Sequence, residues 1–255
     1  MRKGQDRLIG LIREIAAGRY SDEIMELTRP GYPAEIRELA EAVGLMMVGI
    51  EAREFHLEQL TETIRRNSLN TVTAVVNALG ARDAYTEGHG ERVSVYVERL
   101  ARRLGLDNDE VERIRIAGVL HDIGKIGFSD LIFSNEDTQM SEDMLLEIRS
   151  HPQWSYDILK NLDFLGPSLE YVYAHHERLD GRGYPRGLMA DEIPLGARVL
   201  AVADCFDAMT TDRPYQRGKT PQEALAILGS LAGNALDPAV VDVFIVEIED
   251  NGMVG

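Results

Sequence analysis

The sequence predicts an all-α protein of 255 residues. Apolar residues recur at intervals of three and four along most of the chain, which is the period of one face of an α-helix. Residues that start and stop helices punctuate these stretches at short intervals. No region shows several alternating strand patterns in succession. We therefore expect helices packed around an apolar core.

The first 60 residues carry two amphipathic stripes. The first stripe consists of Leu8, Ile9, Leu11, Ile12 and Ile15. Gly18 ends it, and the segment Pro-Gly-Tyr-Pro at residues 30 to 33 precedes the second stripe. The second stripe consists of Ile36, Leu39, Ala40, Val43, Met46 and Met47. Apolar positions continue through Leu57, Leu60 and Ile64, so we expect a helix that leads directly into a second domain.

Two short helices bury too little apolar surface to form a core alone, so this region needs a partner. Its layout resembles a HAMP domain, the parallel two-helix signalling module that dimerises into a four-helix bundle. Gly18 and Glu35 stand at the usual landmarks, but Ala34 replaces the acidic residue that often precedes Glu35. A plain coiled-coil arm is the alternative. We expect residues 1–62 to form this dimerisation and signalling module, and the chain to be a homodimer through its N-terminal helices.

Helix starts are also marked in the second domain, which we expect at residues 63–255. The starting residues are Asp107, Ser141, Pro194, Thr220 and Asp237. The clearest case combines an N-cap at Thr220, a first-turn proline at Pro221 and a capping-box glutamate at Glu223. Gly233 is placed to end that helix.

Composition excludes some classes of function. The formal net charge of −16 argues against binding of a nucleic-acid polymer, which needs a basic surface. The single cysteine, Cys205, allows no disulfide within the chain and fits a reducing cytoplasm. The apolar stretch at residues 42–50 is far shorter than the roughly 20 residues that cross a bilayer. We expect a cytoplasmic protein with no signal peptide and no membrane insertion.

Five of the six histidines lie, together with two aspartates, between residues 89 and 204. These seven residues are His89, His121, Asp122, His151, His175, His176 and Asp204. Imidazole and carboxylate suit iron, manganese, nickel or zinc, and seven groups exceed the needs of one ion. Asp122 has two oxygens and could bridge two ions, whereas Asp204 lies in an apolar run and needs a partner if buried. His56 lies outside the set, and we assign it no role.

Five motifs occur in order around these residues. They are DAYTEGHGERV at 83–93, HDIGKIG at 121–127, HP at 151–152, HHERLDGRGYP at 175–185 and ADCFDAMTTDRPY at 203–215. Together they resemble the HD-GYP family, a branch of the HD-type metal phosphohydrolases. The resemblance covers residue 67 to the C-terminus. It implies an HD-type helical bundle for the second domain.

The resemblance implies that all seven residues are metal ligands. As a hypothesis, one ion takes His89, His121, Asp122 and Asp204, and the other takes Asp122, His151, His175 and His176. Iron or manganese is expected, with nickel and zinc as alternatives. Some family members place a glutamate four residues before the first histidine and hold a third metal. Tyr85 stands there, so we expect two divalent ions.

The resemblance further implies hydrolysis of cyclic di-GMP to linear pGpG, and onward to GMP, by a hydroxide that bridges the two metals. Asp122 and Lys125 are the expected catalytic residues, with Lys125 bonding a nonbridging phosphate oxygen. The expected substrate contacts are Lys125, Gly183, Tyr184, Pro185, Arg213 and Arg217. The segment containing Tyr184 could instead pack in the core or contact a diguanylate cyclase (GGDEF) partner.

Two other functions remain open from the sequence. A receptor would bind cyclic di-GMP without turnover and signal to a partner. A phosphodiesterase of the same chemistry could act on 3′3′-cyclic GMP-AMP, because the residues that select the bases are not evident from the sequence.

Overall fold

The computed structural model describes residues 2–80, 88–133, 140–212 and 217–254. The α-helices in these ranges are α1 (Arg2–Ala16), α2 (Glu23–Glu26), α3 (Ala34–Gly80), α4 (His89–Arg103), α5 (Asn108–Leu120), α6 (Asp130–Phe133), α7 (Glu142–Leu159), α8 (Ser168–Ala174), α9 (Leu195–Thr210), α10 (Pro221–Leu231) and α11 (Pro238–Asn251). Short 3₁₀ helices span Ile123–Gly127, Asp163–Leu165 and Ala190–Glu192. No β-strand forms within these ranges, so the all-α prediction is confirmed.

All five predicted helix starts are present, and at four of them, all except Pro194, a side chain accepts a bond from a free backbone amide of the first turn. The Asp107 carboxylate accepts a bond from the Glu110 amide at 2.8 Å, and Ser141 Oγ accepts one from Met144 at 3.2 Å. Thr220 and Glu223 form the reciprocal capping box. The helix that follows ends at Leu231, two residues before Gly233.

The chain divides into two compact units, Met1–Ser68 and Leu69–Gly255. The first unit contains α1, α2 and α3 as far as Ser68, which is most of that helix. The sequence did not predict α2, which lies within the connector. The second helix of the expected pair is not short, because α3 runs for 47 residues without a break. This agrees with the expected continuation through Ile64.

The core of the first unit uses only part of each predicted stripe. Its buried members are Leu8, Leu11, Ile15, Ile24, Leu27, Ile36, Ala40 and Met47. Ile9 and Ile12 of the first stripe are 49% and 37% exposed, and Leu39 and Met46 of the second are 55% and 51% exposed. Each helix therefore has one apolar side inside this core and further apolar residues outside it.

The second unit has a larger core, which α4, α5 and α9 cross. Three buried rings meet edge to face in it, and Tyr96 lies 5.4 Å from Phe206 and 5.9 Å from Phe244 between ring centres. On one side of this core α11 is tied to α4, because the buried Glu247 carboxylate accepts bonds from Arg99 and Arg103 at 2.8 and 2.9 Å. Among the residues that the structure describes, no helix has both the length and the apolar composition needed to cross a lipid bilayer.

Candidate metal centre

The structure brings all seven predicted ligands together. They come from the start of α4, the C-terminal ends of α5 and α8, and the middle of α7 and α9. Two groups of three could each hold an ion, with their ligand atoms within 4.8 Å of one another. The first group contains His89, His121 and Asp122, and the second contains His151, His175 and His176.

The first group also includes Asp204. His89 Nε2 lies 3.3 Å from His121 Nε2. Asp204 Oδ1 lies 3.2 Å from His89 Nε2 and 3.7 Å from His121 Nε2. The Asp204 side chain is 17% exposed, as expected for a carboxylate in an apolar run that has polar partners. Two imidazoles and two carboxylates therefore converge at this end of the centre.

Asp122 lies between the two groups. Its Oδ2 is 3.3 Å from His121 Nε2, and its Oδ1 is 3.4 Å from His151 Nε2. Each oxygen thus faces a different group, which is the arrangement expected for a bridging carboxylate.

The second group consists of imidazoles alone. His151 Nε2 and His175 Nε2 are 3.3 Å apart. The His176 ring lies 4.9 Å from the His151 ring and 4.1 Å from the His175 ring, measured between centres. Among the described residues, the carboxylate within 4.0 Å of one of these imidazoles is that of Asp122, through its contact with His151.

Three histidines are oriented by backbone carbonyls three residues earlier. His121 Nδ1 bonds the Gly118 carbonyl at 2.9 Å, and His175 Nδ1 bonds the Val172 carbonyl at 2.6 Å. Both carbonyls lie in the last turn of a helix, where no backbone amide follows to bond them. Because a carbonyl can only accept, Nδ1 carries a proton in both residues, which leaves Nε2 as the nitrogen that can bind a cation.

His151 reaches the same arrangement in the middle of α7. The residue after it, Pro152, has no N–H, so the Ile148 carbonyl lacks its usual donor in the helix. His151 Nδ1 bonds that carbonyl at 2.7 Å. The proline of the HP motif therefore frees the acceptor that orients the histidine before it.

His89 is oriented by a carboxylate that the sequence analysis missed. Its Nδ1 bonds Asp207 Oδ2 at 2.7 Å, and Asp207 also accepts bonds from Arg92 Nε and Nη2 at 2.8 and 3.0 Å. Thr211 Oγ1 lies 3.2 Å from the same carboxylate. Asp207 lies three residues after Asp204 on α9, and this helical spacing was the available signal.

Opposing electrostatic effects set the charges of the two groups. Burial disfavours charge on His121, but Asp122 and Asp204 outweigh it and raise its pKa to about 10. Burial likewise disfavours ionised Asp122, yet His121 and Lys125 hold its pKa well below its usual value. In the second group burial lowers the pKa of His176 to about 3. Its imidazole is therefore neutral at pH 7, the form that binds metals.

Lys125 lies beside Asp122, with Nζ 2.6 Å from Oδ2. A tight packing of the HDIGK segment on α7 holds it there. A Cβ on Gly124 would lie 2.2 Å from the His151 carbonyl oxygen, so only glycine fits. Ser155, which the sequence analysis also missed, accepts from the Gly124 amide at 2.9 Å and donates to the His121 carbonyl at 2.8 Å.

The GYP segment, which consists of Gly183, Tyr184 and Pro185, lies beside the second group. The Tyr184 ring is 4.8 Å from the His176 ring. A Cβ on Gly183 would approach the Arg178 amide nitrogen to 2.4 Å, so the segment depends on glycine there. Buried Glu177 accepts bonds from the Arg186 and Leu188 amides at 2.7 and 2.9 Å. Glu177 therefore fixes the far end of the segment, a role not foreseen from the sequence.

The remaining residues named in the sequence analysis are Pro185, Arg217, Tyr85 and Arg213. The peptide bond between Tyr184 and Pro185 is cis. Arg217 is exposed. Tyr85 and Arg213 lie outside the described residues.

Comparison with known families and proteins identifies relatives. The model of the HD domain family matches residues 59–240. A 3′3′-cGAMP-specific phosphodiesterase of Vibrio cholerae is 38% identical over 66% of this chain and 36% of its own length. The cyclic di-GMP phosphodiesterase response regulator RpfG of Xanthomonas campestris is 35% identical over 82% of this chain and 54% of its own. A cyclic di-GMP phosphodiesterase of Thermotoga maritima is 37% identical, with 77% and 55% covered.

The chain spans between about a third and just over half of the length of these curated relatives. Two solved structures share the fold at low sequence identity. A cyclic GMP-AMP-specific phosphodiesterase of V. cholerae superposes with a TM-score of 0.54 at 18% identity, covering 71% of this chain and 49% of its own. The HD-GYP-type protein Bd1817 of Bdellovibrio bacteriovorus gives 0.54 at 17%, with 89% and 76% covered.

The match to the family model covers well over half of the chain, and the ordered histidine and aspartate motifs all lie within it. The helical bundle and the solved structures agree with this assignment. The chain belongs to the HD domain family, within its HD-GYP branch.

Proposed function

We propose that this protein is a metal-dependent phosphodiesterase that hydrolyses cyclic di-GMP to linear pGpG, and onward to GMP. The observation that supports it most is the convergence of three histidine Nε2 atoms, those of His89, His121 and His151, on Asp122. Several relatives bear the name of cyclic di-GMP phosphodiesterase.

The donor set fits two divalent cations. His89, His121, Asp122 and Asp204 would hold one, and Asp122, His151, His175 and His176 the other. Mixed imidazole and carboxylate donors suit iron or manganese, with nickel and zinc as alternatives. Such a cation pair supplies an activated hydroxide and neutralises charge on the phosphoryl group.

Asp122 and Lys125 are the proposed catalytic residues. The Lys125 ammonium has three N–H donors, and one of them is directed at Asp122 Oδ2. We infer that the ammonium, which this bond holds beside Asp122, also donates to a nonbridging phosphate oxygen. Its positive charge would stabilise the negative charge that develops on phosphorus. Tyr184, Gly183 and Pro185 would shape the substrate side of the centre, and Arg213 and Arg217 remain proposed phosphate contacts.

Two alternatives share this site. The 38% identical relative named for 3′3′-cyclic GMP-AMP favours that dinucleotide as a second candidate substrate. A receptor that binds cyclic di-GMP with negligible turnover would use the same residues.

The N-terminal unit has a proposed role in dimerisation and signalling. Ile9, Ile12, Leu39 and Met46 are exposed apolar residues on α1 and α3, and a HAMP-like or coiled-coil homodimer would cover them. Contact of the GYP segment with a diguanylate cyclase is a further proposal, as is the cytoplasmic location expected from the single cysteine.

The test combines metal analysis with turnover. Protein purified without oxygen is assayed for bound metals by mass spectrometry and, at once, for conversion of cyclic di-GMP and cyclic GMP-AMP by chromatography. We expect two divalent ions per chain and formation of pGpG. Tight binding without product would favour the receptor, and faster turnover of cyclic GMP-AMP would favour the second substrate.

A matched pair of histidine variants gives the control. His176→Ala removes a proposed ligand, whereas His56→Ala removes an exposed histidine of α3. His176→Ala should lose metal and activity together, and His56→Ala should retain both. Full metal content and activity in His176→Ala would contradict the proposed ligand set.

A further inference from the structure

A cavity of about 260 Å³ opens beside the second histidine group. Three of its lining residues, His175, His176 and Asp204, are proposed metal ligands. The cavity is therefore continuous with the proposed centre. Its apolar wall is formed by Ala201, Cys205, Leu231, Ala235 and Leu236.

The volume limits what the cavity can hold. Pockets for drug-sized ligands have roughly 300 to 1,000 Å³. A cavity of about 260 Å³ is too small for a whole cyclic dinucleotide but offers room for one flat ring system. An apolar wall suits the faces of such a ring, because burying them removes apolar surface from water. A single base whose phosphate lies at the metal ligands matches both limits.

A guanidinium group lies at this cavity. Arg178 lines it, and its guanidinium is held by Asp180, with Nε to Oδ1 at 3.0 Å and Nη2 to Oδ2 at 2.6 Å. These bonds use two of the five N–H donors of arginine. Nη1 has no hydrogen-bond partner among the described residues, and the Arg178 side chain is 39% exposed. The pair with Asp180 therefore orients the guanidinium and leaves a two-donor edge available.

We propose that this cavity binds a guanine base of the cyclic dinucleotide and that Arg178 recognises that base. This inference rests on the proposed phosphodiesterase function and assigns the residue that selects the base. Guanine presents two adjacent acceptors, O6 and N7, which match a two-donor guanidinium edge. Adenine presents a donor at N6 in place of O6, so one of the two bonds is lost. The site therefore accepts cyclic di-GMP and the guanine half of cyclic GMP-AMP and discriminates against cyclic di-AMP.

The experiment measures base preference directly. Isothermal titration calorimetry on the metal-loaded full chain gives the Kd of 5′-GMP and of 5′-AMP, whose phosphates are identical. We expect 5′-GMP to bind the wild type about tenfold more tightly, within the discrimination typical of one bidentate pair between arginine and guanine. Arg178→Gln should reduce the preference to twofold or less.

A second substitution guards against misfolding. Arg178→Lys keeps the positive charge beside Asp180 but replaces the planar donor edge with a point charge. It should lose the guanine preference as Arg178→Gln does. Arg182→Gln removes a charge from the same exposed loop without touching the cavity, and should keep the preference. Equal binding of both nucleotides to the wild type, or a preference kept by Arg178→Lys, would overturn the proposal.

A substrate without bases separates this inference from the proposed function. Bis(4-nitrophenyl) phosphate reports on diester hydrolysis alone, and its turnover should stay within twofold in Arg178→Lys. No hydrolysis of this diester or of cyclic di-GMP by the wild type would defeat the proposed function, while the preference for 5′-GMP would still test the cavity. Loss of diester turnover in Arg178→Lys would show a structural role and count against base recognition.

Discussion

Buried carboxylates are neutralised in two different ways in the second unit. At the metal centre, Asp122 and Asp204 face imidazoles and Lys125. Between α4 and α11, Glu247 faces two guanidinium groups, those of Arg99 and Arg103. Arginine keeps its charge at any ordinary pH, whereas an imidazole is charged only when protonated.

This difference separates a structural cluster from a ligand site. The negative charge of Glu247 is neutralised by Arg99 and Arg103, so this cluster requires no bound cation. The carboxylates of the centre depend on protons or on a cation for their balance, because their neighbours are mostly imidazoles. We therefore expect Glu247 to affect stability alone, and the centre to link stability, metal content and activity.

The largest effect is expected from Asp122→Asn. The amide removes the negative charge shared by both groups, so metal content should fall at both proposed sites. Losing about 4 kcal/mol of transition-state stabilisation would lower kcat/KM about a thousandfold. Steady-state kinetics with cyclic di-GMP and metal analysis measure this, and Asp157→Asn on the exposed side of α7 is the control. Retained activity would exclude Asp122 from the reaction.

Removal of the metals is the next largest effect. A ligand present at 1,000 times its Kd stabilises the folded state by about 4 kcal/mol. Chelation should therefore lower the midpoint of thermal unfolding by about 10 °C for a unit of this size. In Glu247→Gln the same shift should remain, and in Asp122→Asn it should largely vanish. Identical shifts in both variants would abolish the distinction between the two regions.

Asp207→Asn tests the intermediate case, a carboxylate that has both kinds of partner. The change weakens the hold on His89 while Arg92 keeps one acceptor. Loss of such an outer partner typically costs 10- to 100-fold in metal affinity. Competition with a fluorescent chelator gives the affinity of each site. We expect the affinity to fall at the first group, which contains His89. A loss of affinity at the second group, which contains His151, would contradict the assignment of the ligands to two groups.

Glu247→Gln should change stability without changing activity. Burial opposes ionisation of Glu247, but Arg103 and Arg99 outweigh it and lower its pKa. The pKa of Glu247 is thus lower in the folded chain than in the unfolded chain. Its ion pairs therefore stabilise the folded state fully above about pH 4.5, and this stabilisation is lost as the pH falls through the pKa of the folded chain. The variant should lose about 2 kcal/mol of unfolding free energy at pH 7 and less at lower pH. Urea unfolding at several pH values measures it, and a constant difference would contradict the ion-pair explanation.

Two kinds of feature could be predicted from the sequence, the helix starts that depend on neighbouring residues and the ligand residues that lie in ordered motifs. Asp107, Ser141 and Thr220 start helices because each caps amides within three residues. The partnership of His89 with Asp207 was not foreseeable in this way, because 118 residues separate them. Asp204 and Asp207 look equivalent in the motif, and only the direction of α9 decides which one faces the centre.

The backbone bonds of His121, His151 and His175 also affect the entropy of the centre. Each imidazole is tied to a carbonyl of its own helix, three residues earlier, so its rotamer is selected as soon as that helix forms. Fixing a free side chain costs up to roughly 2 kcal/mol. For these three ligands, most of this loss of side-chain entropy occurs when the helices form, and little of it occurs when a cation binds. The folded chain is thus preorganised to capture metal, and the carbonyl that holds each imidazole contributes to metal affinity together with the ligand itself.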